Sequence, residues 1–276
     1  MGRRLQEARQ NAGMTQQMLC QHAGLSYSTL TKIERGAIKA PSIFTIQNIA
    51  NALGVGLDEL LGVSSSQPPN KVHSKSGIRF IYFDINGCLV RFFHRAFSKL
   101  AEESDVPVDV IETTFWHYND IICRGEMSIE EFNTILAKNF NLSRVDWQTY
   151  YMEAVEPISV MQDVISWAGK LYYIGLLTNI MPGFVNELKR RHILPELRYD
   201  AIVDSSEVKA IKPEAKIYEV ATERAKCSPN EILLVDDSRA NLIAAEKKGW
   251  HVLWFDDSRP DESAARVREA LEPVED

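Results

Sequence analysis

Phe83-Asp84-Ile85-Asn86-Gly87-Cys88-Leu89 directly follows a mostly apolar run, residues 78 to 82, with the length and aromatic content of a buried strand. Four more short apolar runs, at residues 171 to 177, 201 to 203, 232 to 235 and 252 to 255, alternate with longer stretches of helical period. That alternation implies βαβ units and a mostly parallel sheet, an α/β Rossmann-like core within residues 77 to 276. About eighty residues of helical character separate the first two runs, which predicts a helical cap insertion at about 92 to 160. Within it Ser128 and Glu131 have the spacing of a capping box.

Residues 1 to 62 carry no run of period two. Apolar positions recur at three and four, as in Ile46, Ile49, Ala50 and Leu53, so this part reads as an all-α module. Thr15 is a suitable N-cap for a helix through His22 that Gly24 ends, and Ser26 caps a second helix that reaches Arg35 and stops at Gly36. Two short helices joined by a Gly-containing turn form a helix-turn-helix, whose second helix meets base edges with its first exposed residues. Between the two parts, Ser64-Ser65-Ser66-Gln67-Pro68-Pro69-Asn70 is too polar to bury a core, and residues 63 to 76 read as a linker.

The 276 residues carry a formal net charge of −7, unevenly divided. Residues 1 to 62 hold six Lys/Arg against four Asp/Glu, leaving 25 against 34 for the rest, so only the N-terminal part suits a polyanion. A module of net +2 neutralises few phosphates, which favours a homodimer on two half-sites about 34 Å apart. Four scattered cysteines without metal-ligand spacing, no secretory leader and no membrane-length apolar span lead to the expectation of a cytoplasmic protein with no membrane partner.

Four separated features converge on one edge of the expected sheet: Asp84, Thr178-Asn179, Lys212-Pro213 and Asp236-Asp237. Carboxyl ends of parallel strands share an edge, and ligands bind there. A carboxylate can attack phosphorus, a hydroxyl and an amide can hold phosphoryl oxygens, a lysine can neutralise them, and grouped carboxylates can bind Mg²⁺.

In that order these residues resemble the haloacid dehalogenase (HAD) superfamily over residues 78 to 256. The resemblance implies Asp84 as nucleophile and Lys212 as stabiliser of charge. It implies Thr178 and Asn179 around the phosphoryl group, Mg²⁺ held by Asp84, Asp237 and the backbone carbonyl of Asn86, and Asp236 orienting the metal shell. Arg124-Gly125-Glu126-Met127-Ser128 and Asp236-Asp237-Ser238-Arg239-Ala240-Asn241 look like the subgroup with sugar-phosphate phosphatases and the N-terminal domain of mammalian epoxide hydrolase. Residues 3 to 62 resemble the Cro/repressor-type helix-turn-helix family through Met14-Thr15-Gln16, Ala23-Gly24-Leu25-Ser26 and Ile33-Glu34-Arg35-Gly36. By position, Gln16 would brace a phosphate or base, and Ser26, Tyr27 and Ser28 would meet base edges. Lys32, Arg35 and Lys39 would favour phosphates.

One departure matters. Where the resembled enzymes carry an acid two residues after the nucleophile, this chain has Asn86, which removes general acid-base help typically worth about 10²- to 10⁴-fold. The expected function is a transcriptional regulator on double-stranded DNA whose HAD-like domain senses a small phosphorylated metabolite or phosphoryl group, or is a weakened hydrolase. The alternatives are an active Mg²⁺-dependent phosphatase and, less favoured because Asp236-Asp237 is present, metal-free dehalogenation. A helical module that mediates protein contacts is the alternative to DNA binding. Trp116, His117 and Tyr118 are candidates for a cap pocket, with core packing as the other reading.

Overall fold

Phe80–Phe83, strand β1, is buried along its whole length. Its alternate side chains enter two different cores: Ile81 and Phe83 join the larger apolar cluster, Phe80 and Tyr82 a second one on the opposite face. A strand buried on both faces needs helices on both sides, which explains its unbroken hydrophobicity. The computed structural model describes residues 2–38, 41–55, 71–91 and 94–274, which fall into two units, Met1–Asn70 and Lys71–Asp276.

In the first unit the helices are α1 (Gly2–Asn11), α2 (Gln16–Ala23), α3 (Tyr27–Glu34) and α4 (Ile43–Leu53). Each of α2, α3 and α4 begins at a hydroxyl cap, with Thr15, Ser26 and Ser42 accepting from the N–H groups of Met18, Thr29 and Thr45. Gly24 and Gly54, in the left-handed conformation, end α2 and α4. Leu5, Leu19, Leu30, Ile33, Ile46 and Ile49 close the core. Lys39 and residues 56 to 62, assigned to this module by sequence, lie outside the described residues.

The second unit holds a five-stranded parallel sheet in the order β5-β4-β1-β6-β7. Its other strands are β4 (Tyr173–Thr178), β5 (Ala201–Asp204), β6 (Ile232–Asp236) and β7 (His251–Trp254). All five coincide with the apolar runs. Successive crossovers run from β1 outward to β5, then return to β6 and β7 on the other side, so the winding reverses at β1. Phe83 pairs with Leu176 and Val235, which sets Asp84, Thr178 and Asp236 at one edge.

The cap is α5 (His94–Ser104), α6 (Val108–Cys123), α7 (Ile129–Asn139) and α8 (Trp147–Ala154). The capping box of Ser128 and Glu131 is formed at the start of α7. Phe97, Phe115, Phe132 and Trp147 pack at its centre. Where the chain enters and leaves the cap, a short ribbon pairs β2 (Val90–Arg91) with β3 (Glu156–Pro157) antiparallel; these two-residue strands are too short for periodicity to reveal.

One expectation needs correction. Residues 71 to 76, read as linker, are held on the second unit. Lys71 Nζ donates to the carbonyls of Gly169 and Tyr172, Val72 N–H to Leu171 O at 2.9 Å, and Lys75 N–H to Glu272 O at 2.8 Å. Polar side chains made this stretch look coil-like, but its backbone groups find partners and Lys71 caps helix α9 (Ser159–Leu171). Residues 63 to 70 lie outside the described residues. Further along this unit, α14 (Pro260–Ala270) buries Ala264 and Val267 in the main core. Among the described residues, no helix is long and apolar enough to cross a membrane.

Gly175, in the middle of β4, lies under the Tyr82 and Phe80 rings; a Cβ there would stand 2.4 Å from Tyr82 and 2.8 Å from Phe80. Both rings are fully enclosed, so Gly175→Ala should lower the unfolding free energy by about 1–3 kcal/mol in urea denaturation. An unchanged midpoint would contradict this packing.

Candidate functional site

On the helical unit, Gly24 to Ser26 join α2 to α3, and Leu25 N–H closes the turn on Cys20 O at 2.9 Å. Ser26 spends its hydroxyl as the cap of α3, also meeting Ser28 Oγ at 3.1 Å and Thr29 Oγ1 at 2.8 Å. Tyr27 is exposed and donates to Gln16 Oε1 at 2.8 Å. Gln16 Nε2 in turn donates to Glu34 Oε2 at 2.6 Å, and Glu34 is paired with buried Arg9 at 2.7 Å. A relay of four side chains therefore holds Gln16 and Tyr27 in fixed orientation. Ser28, Lys32 and Arg35 lie exposed on the same helix or at its end. Sequence reasoning missed Arg9 and Glu34, although Glu34 belongs to the Ile33-Glu34-Arg35-Gly36 signature.

On the second unit, the loop after β1 presents Asp84, almost wholly buried. Its Oδ1 accepts from Ile85 N–H at 2.8 Å and lies 3.0 Å from Lys212 Nζ. Lys212, with no exposed side-chain surface, also reaches Asp236 Oδ2 at 2.6 Å. Asp236 is saturated: Ser238 N–H donates to Oδ1 at 2.8 Å, and Asn241 Nδ2 meets both oxygens at 3.0 and 3.2 Å. Asn241 sits in the first turn of α13 (Arg239–Glu246), five residues beyond Asp236. It was quoted from sequence without a role.

Asn179 takes a different part from the one the resemblance implied. Its Nδ2 donates to Lys212 O at 2.9 Å and its Oδ1 accepts Lys212 N–H at 2.7 Å, so both ends of the amide brace the lysine backbone. Thr178 is the group left over: its hydroxyl is buried and has no hydrogen-bond partner among the described residues. An orphaned buried hydroxyl costs about 1–3 kcal/mol unless something accepts from it. Asn86 accepts from the cap, with Tyr151 OH donating to Oδ1 at 2.6 Å across 65 residues of sequence. A second cap link runs from Arg124 to Glu214 Oε1 at 2.6 and 2.9 Å.

Oxygens of Asp84, Asp236 and Asp237 all lie within 4.8 Å of one another. Three carboxylates around a single buried ammonium leave an excess of negative charge and oxygen donors, the chemistry of a hard divalent cation site. Gly87, at φ +82°, makes this approach possible, since a Cβ would stand 2.2 Å from Asp237 Oδ2. Burial pushes the Asp84 carboxyl up to about 7; Lys212 opposes the shift and the charges of Asp236 and Asp237 add to it. Partial desolvation, then repulsion from Asp236, pushes Asp237 up to about 6. Asp237 keeps one side in solvent, so the Asp236 charge is the firmer cause. Lys212 is disfavoured as a cation by burial, but Asp236 and Asp84 outweigh that and raise it above the ordinary lysine value.

Beside Asn86 lies a cavity of about 20 Å³ lined by Asn119, Cys123, Trp147, Tyr151 and Phe184 among others. Of the aromatic trio considered from sequence, none lines it. The pocket takes the neighbouring Phe115 instead, while Trp116 is exposed.

Residues 78–249 match the haloacid dehalogenase-like hydrolase family, and residues 5–60 match a helix-turn-helix family. The chain belongs to the haloacid dehalogenase-like hydrolases. It joins to that HAD domain an N-terminal helix-turn-helix, as the motifs implied. Bifunctional epoxide hydrolase 2 of Rattus norvegicus is 27% identical over 121 residues, 41% of this chain. That match spans only 21% of the epoxide hydrolase. (S)-2-haloacid dehalogenase 1 of Pseudomonas sp. (strain CBS-3) is 23% identical over 174 residues, 62% of this chain and 73% of its own length. A HAD family enzyme from Bacteroides thetaiotaomicron, solved with magnesium and inorganic phosphate, shares the fold with a TM-score of 0.55 at 19% identity, over 65% of this chain and 94% of that one. A HAD-like hydrolase from Porphyromonas gingivalis gives 0.56 at 23%, over 69% and 98%.

Two outcomes follow from the charge cluster. With chelator present at pH 8, Lys212→Met should cost about 3–5 kcal/mol of stability, because it strands buried carboxylates; the loss should shrink at pH 5. A cost under about 1 kcal/mol at pH 8 would contradict the pairing. Asp84 and Asp237 have folded values above their ordinary one, so their contribution to stability is full below about pH 4 and lost as pH rises through about 6 to 7. A divalent cation binds the ionised forms. Saturating MgCl2 should therefore raise Tm more at pH 8 than at pH 5, reversibly with EDTA, and a rise as large at pH 5 would argue against these ligands.

Proposed function

We propose that the chain is a DNA-binding transcriptional regulator whose HAD domain reads a phosphoryl group or small phosphorylated metabolite, with hydrolysis slowed or lost. The observation that carries this reading is Asn86, an amide where an acid would serve, with its oxygen held by Tyr151 of the cap. An amide with its carbonyl so engaged neither protonates a departing alkoxide nor takes a proton from water. The phosphoryl-binding apparatus remains: Asp84 to accept, Lys212 to neutralise, and the Thr178 hydroxyl to donate.

Asp84, Asp237 and the Asn86 backbone would hold Mg²⁺, with Asp236 orienting the set through Lys212 and Asn241. Bound there, the ion would supply positive charge to phosphoryl oxygens. Asn179 keeps Lys212 in register by gripping its backbone at both polar atoms. Binding would bias one arrangement of a cytoplasmic homodimer on DNA, since a ligand with equal affinity for two states shifts neither. Ser28, Lys32 and Arg35, with the Gln16–Tyr27 pair, form the surface for double-stranded DNA; Ser26 serves it as the helix cap, and Lys39 would add a phosphate contact.

A second reading, an active Mg²⁺-dependent phosphatase, draws on the intact Asp84, Lys212 and Thr178. The two separate under steady-state assay with sugar phosphates and MgCl2. Regulator function expects turnover that is slow in the native chain and rises by about 10²-fold or more in Asn86→Asp; brisk native turnover abolished by Asp84→Asn would favour the phosphatase.

For DNA, selection from a random duplex library followed by footprinting should enrich paired half-sites about 34 Å apart. Lys32→Ala should weaken binding across sequences and lower the salt slope by about 1, whereas Tyr27→Ala should relax sequence preference. No enrichment from the library would remove the DNA-binding part.

A further inference from the structure

We propose that the cleft at the amino ends of β1, β4 and β5 is a second anion site, and that it takes a phosphate chain, a small molecule carrying two or three linked phosphates. The inference is independent of how Asp84 is used. About 13 Å of extended backbone separates Phe80, in this cleft, from Asp84 at the other edge of the sheet.

Arg79, Arg198, Arg224 and Lys226 line the cleft, about 340 Å³ in volume, against a single carboxylate, Asp200. Four cations less one carboxylate leave a surplus of three positive charges. The surrounding unit is biased the other way, with 25 Lys/Arg against 34 Asp/Glu over residues 71 to 276. Asp200 gives little neutralisation: Oδ2 accepts Ile174 N–H at 2.9 Å, and Oδ1 lies 4.0 Å from Arg198 Nε. Among the described residues, Arg79, Arg224 and Lys226 form no ion pair. Arg224 directs one donor to the Ile202 carbonyl, and half-buried Arg79 lies over the Tyr173 ring at 5.3 Å.

Helix ends account for only part of this charge. Arg224 and Lys226 sit at the carboxyl end of α12 (Ala215–Ala225), where cations complement the helix dipole. Arg79 immediately precedes β1 and Arg198 lies in the loop before β5, so neither complements a helix end.

Charge, more than room, selects the ligand. Cations facing one another across a concave wall repel, and a monovalent anion relieves one of them at a time. Linked phosphates bring several charges in one molecule, and each guanidinium fork can hold two of their oxygens. An uncharged polyol would supply acceptors but leave the repulsion in place.

The test is isothermal titration of the full chain with sodium tripolyphosphate in EDTA, which keeps Mg²⁺ from the Asp84 edge. One equivalent should bind, more weakly as salt rises. Arg79→Ala and Arg224→Ala should each weaken binding about tenfold or more, and Arg79→Lys less, because the charge stays while the fork is lost. Asp84→Asn should change it by less than about twofold. Melting curves without ligand check that each variant folds, and Arg79→Lys carries the test if an alanine variant does not. A parallel titration with ATP separates the sources: equal affinity assigns recognition to the phosphate chain alone, tighter binding to a nucleotide, and both support the site. Affinity unmoved by the arginine variants, loss of binding in Asp84→Asn, or citrate bound as tightly would each overturn the proposal. So would no binding of tripolyphosphate; if Arg79→Ala then lowers the salt slope of duplex binding, the face is a DNA contact instead.

Discussion

The ammonium of Lys212, sealed between Asp84 and Asp236 with no side-chain surface left in water, is the interaction on which this edge of the sheet depends. Three carboxylates close enough to share one ion repel each other strongly in a low-dielectric setting. A single cation divided between two of them, at 3.0 and 2.6 Å, is what lets β1 and β6 end side by side. The rest of the edge serves that cation: Asn179 grips its backbone, while Asn241 and the Ser238 N–H saturate Asp236.

The same economy of polar groups runs through the helical unit. Arg9, Glu34, Gln16 and Tyr27 form one hydrogen-bonded relay in which a buried ion pair orients an amide and the amide orients an exposed ring. Side chains held this way lose little freedom on contact with a partner, which favours affinity at a given contact area. In both units a side chain with a visible chemical role is aimed by others whose roles are silent in the sequence.

That division also explains what was legible. All five strands followed from runs of apolar residues, because a strand covered on both faces must be hydrophobic throughout. The helix caps at Thr15, Ser26 and Ser128 followed from local chemistry within three residues. Asp84, Thr178, Lys212 and Asp236 were legible because parallel strands deliver their carboxyl ends to one edge. Tyr151 was not: its contact with Asn86 spans 65 residues and rests on how the cap sits over the sheet. Nor was the anchoring of residues 71 to 76, where backbone partners supplied by Leu171 and Glu272 override a polar composition. The β2–β3 ribbon, two residues on each side, falls below the length at which alternation carries information.

That ribbon has a consequence for how such a molecule changes over generations. The strands by which the polypeptide departs from and rejoins the sheet lie against each other, Val90 beside Pro157 and Arg91 beside Glu156. A lobe suspended from two adjoining threads makes no topological demand on what lies beneath it. It can be lengthened, trimmed or exchanged for an unrelated lobe without rethreading the core, so ancestry written in the sheet and selectivity written in the lobe are free to diverge at different speeds.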